Sequence, residues 1–347
     1  MRTPLPRPRR RGARVALPLT VLVLVLSACG GSSDDQGDDD DGPLVVYVGR
    51  DEALVSPLVE QFTKDTGIEV EARYAETPEL TATLLEEGDA TPADVFLSQD
   101  AGALGALSEA GLLSDLDADL TDKVPASLTS TDGSWVGVTG RARVIAYDSE
   151  TLDEADVPDE VADLTDEEWK GRVGFPPGNA SFQAFVTGFR VSQGDAAAQA
   201  WLEGMAANDY QSYEKNGAVL EAVNTGQLDL GLINHYYWFQ TAAEVGADQM
   251  RAQLTFPKAG DPGALVNVTG AGILSDHDDA AAFVEYLLSD AGQTYFVENT
   301  YEYPLVEGID APEGLPALAD LQGPDIDLSD LADLEATVRM IQDAGLS

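Results

Sequence analysis

A chain of 347 residues with 62 acidic and only 19 basic side chains carries a formal charge of −43, which excludes nucleic acid and anionic lipid headgroups as partners. One cysteine and two histidines exclude disulfides, iron–sulfur clusters, cysteine-ligated zinc and multi-histidine metal centres, so any metal must be held mostly by oxygen. A body of about 300 residues at 44% apolar composition points to two domains of ordinary size.

The N-terminus holds Arg2, Arg7, Arg9, Arg10, Arg11 and Arg14 with no acidic residue, then an apolar run over residues 15–26, then Leu26-Ser27-Ala28-Cys29. A basic start, a short apolar core and small residues at a cut are the layout of a secretory signal. The run is shorter than the roughly 20 residues that cross a bilayer as a helix; a short membrane anchor is the alternative. The four residues before and including the cysteine resemble the lipobox of bacterial lipoproteins. That resemblance implies removal of residues 1–28 and acylation of Cys29, placing the mature chain on the extracellular face of the cell membrane through a lipid anchor. A buried structural cysteine is the other reading. Arg10-Arg11 leaves both general secretory and twin-arginine export open. Cutting after Ala28 removes six basic and no acidic residues, leaving 13 against 62, a charge of −49. Residues 29–42, rich in Gly, Ser and Asp, cannot build a core and extend by self-repulsion, as an acidic flexible tether does.

The folded body starts near Pro43. Leu44-Val45-Val46-Tyr47-Val48 reads as a buried strand closed by Gly49. Leu54, Leu58 and Phe62 fall at helical spacing, and that helix stops at Gly67. Residues 68–74 alternate as a half-covered strand. A helix over 78–87 and a strand over 94–97 follow, then a helix with Leu104 and Leu107. Two apolar runs flank Thr139-Gly140-Arg141-Ala142-Arg143, and further strands are predicted over 171–175 and 228–234. Leu331, Leu334, Val338 and Ile341 line one face of a C-terminal helix, with Ser329 as N-cap and Gly345 past the end. Strands separated by helices of this length imply βαβ units, and such sheets bind ligands beyond the carboxyl ends of their strands, here the loops after Val48 and Leu97.

The run Asn234-His235-Tyr236-Tyr237-Trp238 places two phenols and an imidazole at the carboxyl end of a strand. A phenol, with pKa about 10, is a poor ligand until a hard, highly charged cation displaces its proton. Iron(III) is such a cation. Neighbouring tyrosines point about 100° apart on a helix, so both reach one ion only where the backbone is turning. An aromatic cluster packed in the core is the alternative.

Leu232-Ile233-Asn234-His235-Tyr236-Tyr237-Trp238 is similar to the tandem-tyrosine signature of the ferric-ion-binding proteins of bacterial ABC importers. Matching stretches stand in the same order: Thr91-Pro92-Ala93-Asp94-Val95-Phe96, Gly140-Arg141-Ala142-Arg143-Val144, Trp169-Lys170-Gly171-Arg172-Val173-Gly174, Lys215-Asn216, Asp261-Pro262-Gly263-Ala264-Leu265-Val266 and Glu302-Tyr303-Pro304-Leu305. The resemblance implies an α/β, two-lobe periplasmic-binding-protein-like fold, each lobe a mainly parallel sheet flanked by helices, with the ligand cleft between lobes. Residues 43–140 plus about 266–318 would form the N-lobe, and about 141–265 plus 319–347 the C-lobe. It further implies a monomeric, non-enzymatic carrier of Fe(III) that serves an ABC importer permease. Tyr236 and Tyr237 would ligate the metal. A synergistic carbonate or phosphate would sit at Asn179, Ala180, Ser181, Asn216 and Asn234, where Pro176-Pro177-Gly178 leads into a helix N-terminus whose free amides favour an anion. Arg141 falls where related members set an arginine against the anion, with an ordinary ion pair as its alternative; Arg143 ranks behind it.

The chain departs from the family pattern where the N-lobe histidine ligand becomes Asp51 and the N-lobe glutamate ligand becomes Gln99. Asp51 could donate a carboxylate or cap the helix that follows. Gln99 is a weak ligand for a trivalent ion, and Asp100 beside it reads as a helix cap. His235 is left beyond the direct ligands. A binder of an organic cation such as thiamine on the same fold is the runner-up. A secreted hydrolase lacks any Gly-x-Ser-x-Gly, His-Glu-x-x-His or Gly-Lys-Ser motif to support it.

Overall fold

The computed structural model describes residues 42–346; the leader, Cys29 and most of the tether read from the sequence lie outside them. No helix among the described residues is long and apolar enough to cross a membrane.

Ten strands form one continuous sheet: β1 (Leu44–Val48), β2 (Val70–Tyr74), β3 (Val95–Ser98), β4 (Trp135–Asp148), β5 (Val173–Phe175), β6 (Gln211–Ser212), β7 (Leu230–Asn234), β8 (Ala252–Thr255), β9 (Val266–Ile273) and β10 (Tyr303–Pro304). The main path runs β2-β1-β3-β9-β4-β7-β5-β6, with β8 and β10 both paired to β4. The fold is built twice. β1 pairs in parallel with β2 and β3, and β5 pairs in parallel with β6 and β7. The two parallel trios are joined through β4 and β9, which run antiparallel to their neighbours. β4 crosses from one lobe to the other: it pairs with β9 as far as Ala142 and with β7 from Arg143 onward.

Each trio buries its own apolar cluster. One gathers Val46, Phe62, Phe96, Trp135 and Phe296, and the other Phe175, Phe182, Phe185, Trp201 and Leu202. In the second, Phe175 stacks on Phe182 at 4.5 Å between ring centroids and Trp201 meets Phe185 edge-on at 5.4 Å. Cores of this kind contribute about 1.5–3 kcal/mol per buried large side chain, which fixes the strand ends that carry the site. Leu328 and Leu331 pack into the first cluster, although the boundary drawn from sequence assigns 319–347 to the second lobe.

One sequence expectation gains detail and one needs correction. The two apolar runs around residue 140 are a single strand, with a register shift between Gly137 and Thr139. A Cβ at Gly137 would lie 2.3 Å from the Leu128 carbonyl, so only glycine lets the chain pass there. At the C-terminus, Ser329 caps nothing. It lies inside a 3-10 turn, Leu328–Ala332, capped by Asp327, and the α-helix Leu334–Asp343 is capped by Asp333, whose carboxylate accepts from Ala336 N–H. Gly345, at φ 78°, follows the helix as expected.

Candidate functional site

Four strand ends and one crossing strand assemble the site. β1 ends before Arg50 and Asp51, β3 before Gln99 and Asp100, β5 before the Asn179 turn, and β7 before His235, Tyr236 and Tyr237. Between them β4 contributes Arg141 and Arg143, two residues apart and so on one face of the strand.

β7 is buried throughout and ends at Asn234, and the helix Tyr236–Val245 starts at once. That abrupt change of direction brings the tyrosine rings together, stacked with centroids 4.4 Å apart and planes at 28°. Tyr236 is buried and Tyr237 half-buried. Burial, reinforced by Tyr237, pushes the Tyr236 phenol well above its ordinary range, while Arg141 and Arg50 pull it down. The Tyr236 phenol is therefore protonated at neutral pH until something replaces its proton.

The anion-pocket residues named from sequence stand together. Asn179 caps the helix Ala180–Gln193, its Oδ1 accepting from the Ser181 amide at 3.0 Å and the Ser181 hydroxyl at 2.6 Å. The Asn216 amide donates to Asn179 Oδ1 at 3.1 Å and to Ser181 Oγ at 3.2 Å. Arg143 Nη1 reaches Ser181 Oγ and Asn234 Oδ1, each at 3.4 Å. Thus Arg143, ranked second in the sequence reading, contacts this pocket, while Arg141 donates through Nη2 to the carbonyls of Gln99 and Val268.

The electrostatics are unusual for so acidic a chain. Arg141 and Arg143 are 3% and 4% exposed, and neither meets a carboxylate among the described residues. Arg141 Nε, Arg143 Nη2 and Asn216 Oδ1 are buried with no hydrogen-bond partner. Burial pulls the Arg143 guanidinium down to about 10, with only the nearby phenols favouring its charge. Arg50 differs: its guanidinium grips Glu302 through two bonds of 2.6 and 3.2 Å, and Thr269 and Thr139 complete the buried cluster. Buried guanidinium groups with an unsatisfied nitrogen and no paired carboxylate are costly. The arrangement suits an oxyanion that brings negative charge and acceptor oxygens.

The first-lobe residues offer less. Asp51 is exposed, and its Oδ1 accepts from Ala53 N–H at 2.9 Å as the N-cap of the helix Glu52–Thr66. Gln99 is half-buried, with its backbone held by Thr77 and Arg141. Asp100 caps the helix Ala101–Glu109. No group of three or more His, Cys, Asp or Glu side chains among the described residues could hold a metal ion. His235 is fully buried: Nδ1 accepts from Ala142 N–H at 3.2 Å, and Nε2 lies 2.8 Å from the Tyr301 carbonyl. Burial lowers its pKa to about 4, against the effect of the Tyr301 and Ala142 carbonyls. The Arg50–Glu302 pair carries no local sequence signal, since 252 residues separate its members. The i, i+2 spacing of Arg141 and Arg143 was the signal that both would face one side.

Comparison with known proteins places the chain in company. The family model described as bacterial extracellular solute-binding protein matches residues 90–326. The "Fe(3+)-binding periplasmic protein" of Serratia marcescens is 35% identical over 336 residues, covering 96% of this chain and 97% of its own. Among solved structures, iron-bound HitA from Pseudomonas aeruginosa superposes with a TM-score of 0.81 at 34% identity, over 88% of this chain and 99% of its own. The Trichodesmium protein FutA, solved in complex with iron and citrate, gives 0.77 at 27% identity over 88% and 100%.

Proposed function

The chain belongs to the bacterial extracellular solute-binding proteins, and on that premise we propose that it captures ferric iron in the cleft between its lobes and delivers it to an ABC importer permease. Members of this kind carry cargo and catalyse nothing. The observation that carries the reading is the stacked phenol pair, Tyr236 and Tyr237, beside two buried guanidinium groups that have no carboxylate.

The chemistry follows from charge. Iron(III) displaces both phenol protons and is held by two phenolates, which leaves one positive charge. A carbonate or phosphate then occupies the pocket of Asn179, Ala180, Ser181, Asn216 and Asn234, offering oxygens to Arg143 and to the helix N-terminus. Arg141 contributes charge at longer range while it braces the Gln99 carbonyl. The first lobe adds little: Asp51 could give up its capping bond to finish the coordination, and otherwise water does so, since Gln99 is neutral. Citrate in the Trichodesmium neighbour is the precedent for an organic acid in place of the inorganic anion. Two buried guanidinium groups without a carboxylate within ion-pair distance count against an organic cation such as thiamine as cargo.

The same proposal includes processing at Cys29, with the acylated cysteine and tether of residues 29–42 holding a monomeric body outside the cell membrane. The N-lobe would comprise 43–140 and about 266–318, and the C-lobe about 141–265 plus 319–347, with Leu328 and Leu331 reaching back into the first cluster.

A ferric titration with carbonate or phosphate present tests the central claim. A visible phenolate-to-iron absorption band should saturate at one equivalent, and a Tyr236→Phe, Tyr237→Phe double variant should lack it. A folded, metal-free protein that develops no band would remove ferric iron as the cargo.

A further inference from the structure

We propose that His235 is a positioning residue that latches the start of the tyrosine-bearing helix to the first lobe, and so sets how long the cleft stays shut around its cargo. The inference rests on the reading of Tyr236 and Tyr237 as the ligands, but the latch itself is built from other atoms.

An imidazole with no exposed surface at the edge of a cleft needs both nitrogens satisfied. The Tyr301 carbonyl can only accept, so the proton of the neutral ring sits on Nε2, and Nδ1 accepts from Ala142 N–H, with the Ala142 carbonyl 3.3 Å away. The His235 amide also donates to the Ala142 carbonyl, extending the β4–β7 ladder by one step. The ring is therefore rigid against the crossing strand and points its proton across to another segment. That segment belongs to the first lobe: Tyr301 ends the helix Asp290–Thr300, whose Phe296 lies in the first apolar cluster.

Tyr301 is held in place from several sides. It adopts φ 58° and ψ 27°, a left-handed conformation that non-glycine residues take up only where the surroundings hold them there. Its ring stacks with Phe239 of the tyrosine helix at 6.3 Å, and the next residue, Glu302, is the carboxylate gripped by Arg50. Tyr303 then lays its ring 4.9 Å from the imidazole. Among the described residues no donor other than His235 reaches the Tyr301 carbonyl. One hydrogen bond thus connects the residue preceding both ligands to a first-lobe backbone that is itself pinned.

The test uses the chain expressed without residues 1–28 and carrying Cys29→Ser, which leaves no cysteine. Spin labels at Glu109→Cys and Glu203→Cys, both exposed and on opposite lobes, report the interlobe distance with no metal present. His235→Asn keeps an acceptor for Ala142 but is too short for Tyr301; His235→Gln reaches Tyr301 and gives up Ala142. His235→Asn should broaden the distance distribution while His235→Gln leaves it at the parent's. Loaded with iron, His235→Asn should release it to a competing chelator about 2- to 10-fold faster, the span of one net hydrogen bond, with the absorption band at the parent's wavelength. Identical distributions in parent and His235→Asn overturn the latch. Equal broadening in both variants does so too, because the ring's packing would then be what matters. Broadening in His235→Asn alone, with no iron band in the parent, would support the latch and sink the ligand assignment.

Discussion

Replacing Arg143 by methionine should make the metal-free protein more stable and the metal-bound one weaker. The guanidinium is 4% exposed, has one nitrogen without a partner and holds its remaining contacts at 3.4 Å. Burial lowers its pKa to about 10. For a base, a lowered pKa means that folding disfavours the charged form, so at neutral pH the charge costs stability, by about 3 kcal/mol if the whole shift is counted. Methionine fills the aliphatic path of the side chain without the charge, and Phe182 and Phe185, whose ring centroids lie 5.9 and 5.3 Å from the guanidinium carbon, would accept it. The expected gain in the free protein is about 1–3 kcal/mol, read as a higher urea midpoint at pH 7 with unchanged slope. Bound to an anion, the same guanidinium makes charge-assisted hydrogen bonds worth about 1.5–3 kcal/mol, so ferric affinity in carbonate should fall by about 10- to 100-fold. Opposite signs in the two assays are the signature of a site whose polar groups await a ligand. A variant less stable than the parent when metal-free, or one that binds iron with unchanged affinity, would refute the reasoning.

Further outcomes follow from the same geometry. Iron binding must expel two phenol protons, one from Tyr236, whose pKa burial has raised; affinity should therefore drop about 100-fold for each pH unit lost between 8 and 6, and a titration series showing no proton release would contradict it. Glu302→Gln should destabilise the fold by about 3–5 kcal/mol, because it strands the buried Arg50 guanidinium; chemical denaturation measures this directly. Although burial opposes it, Arg50 holds the Glu302 carboxyl below the usual carboxylate range. The stability this pair provides is full at neutral pH and is lost as pH falls through that lowered value, a loss the Glu302→Gln variant should not show.

Much of the fold was legible because its signals are local. Leu44–Val48 is a strand with the ends its apolar run suggested, and the first helix stops at Gly67, whose φ of 82° is the left-handed cap that glycine favours. The C-terminal cap failed for a physical reason. Leu331, Leu334, Val338 and Ile341 share helical spacing, yet Leu331 faces the first core and Ile341 the second, and the chain breaks into a turn and a helix to serve both. In the site, the tyrosine pair was expected from a run of adjacent residues, whereas the grouping of Asn179, Ser181 and Asn216, scattered in sequence, was expected only through the family resemblance; the structure sets these three within hydrogen-bond distance. What stayed hidden was pairing at a distance: Arg50 with Glu302, His235 with Tyr301, and which of two alternate arginines meets Ser181. Strand alternation shows that side chains share a face, and only the crossing of the sheets decides which one reaches the pocket.

The crossing point in β4 has a mechanical meaning. The strand leaves its β9 partner after Ala142 and takes up β7 at Arg143, so the guanidinium groups would stand at the fulcrum of a rotation about this crossing. Atoms on an axis barely move when the arms swing. An anion seated against Arg143 would ride the pivot through opening and closing alike, whereas a contact contributed by Asp51, exposed at the start of the helix Glu52–Thr66, would be made last and broken first.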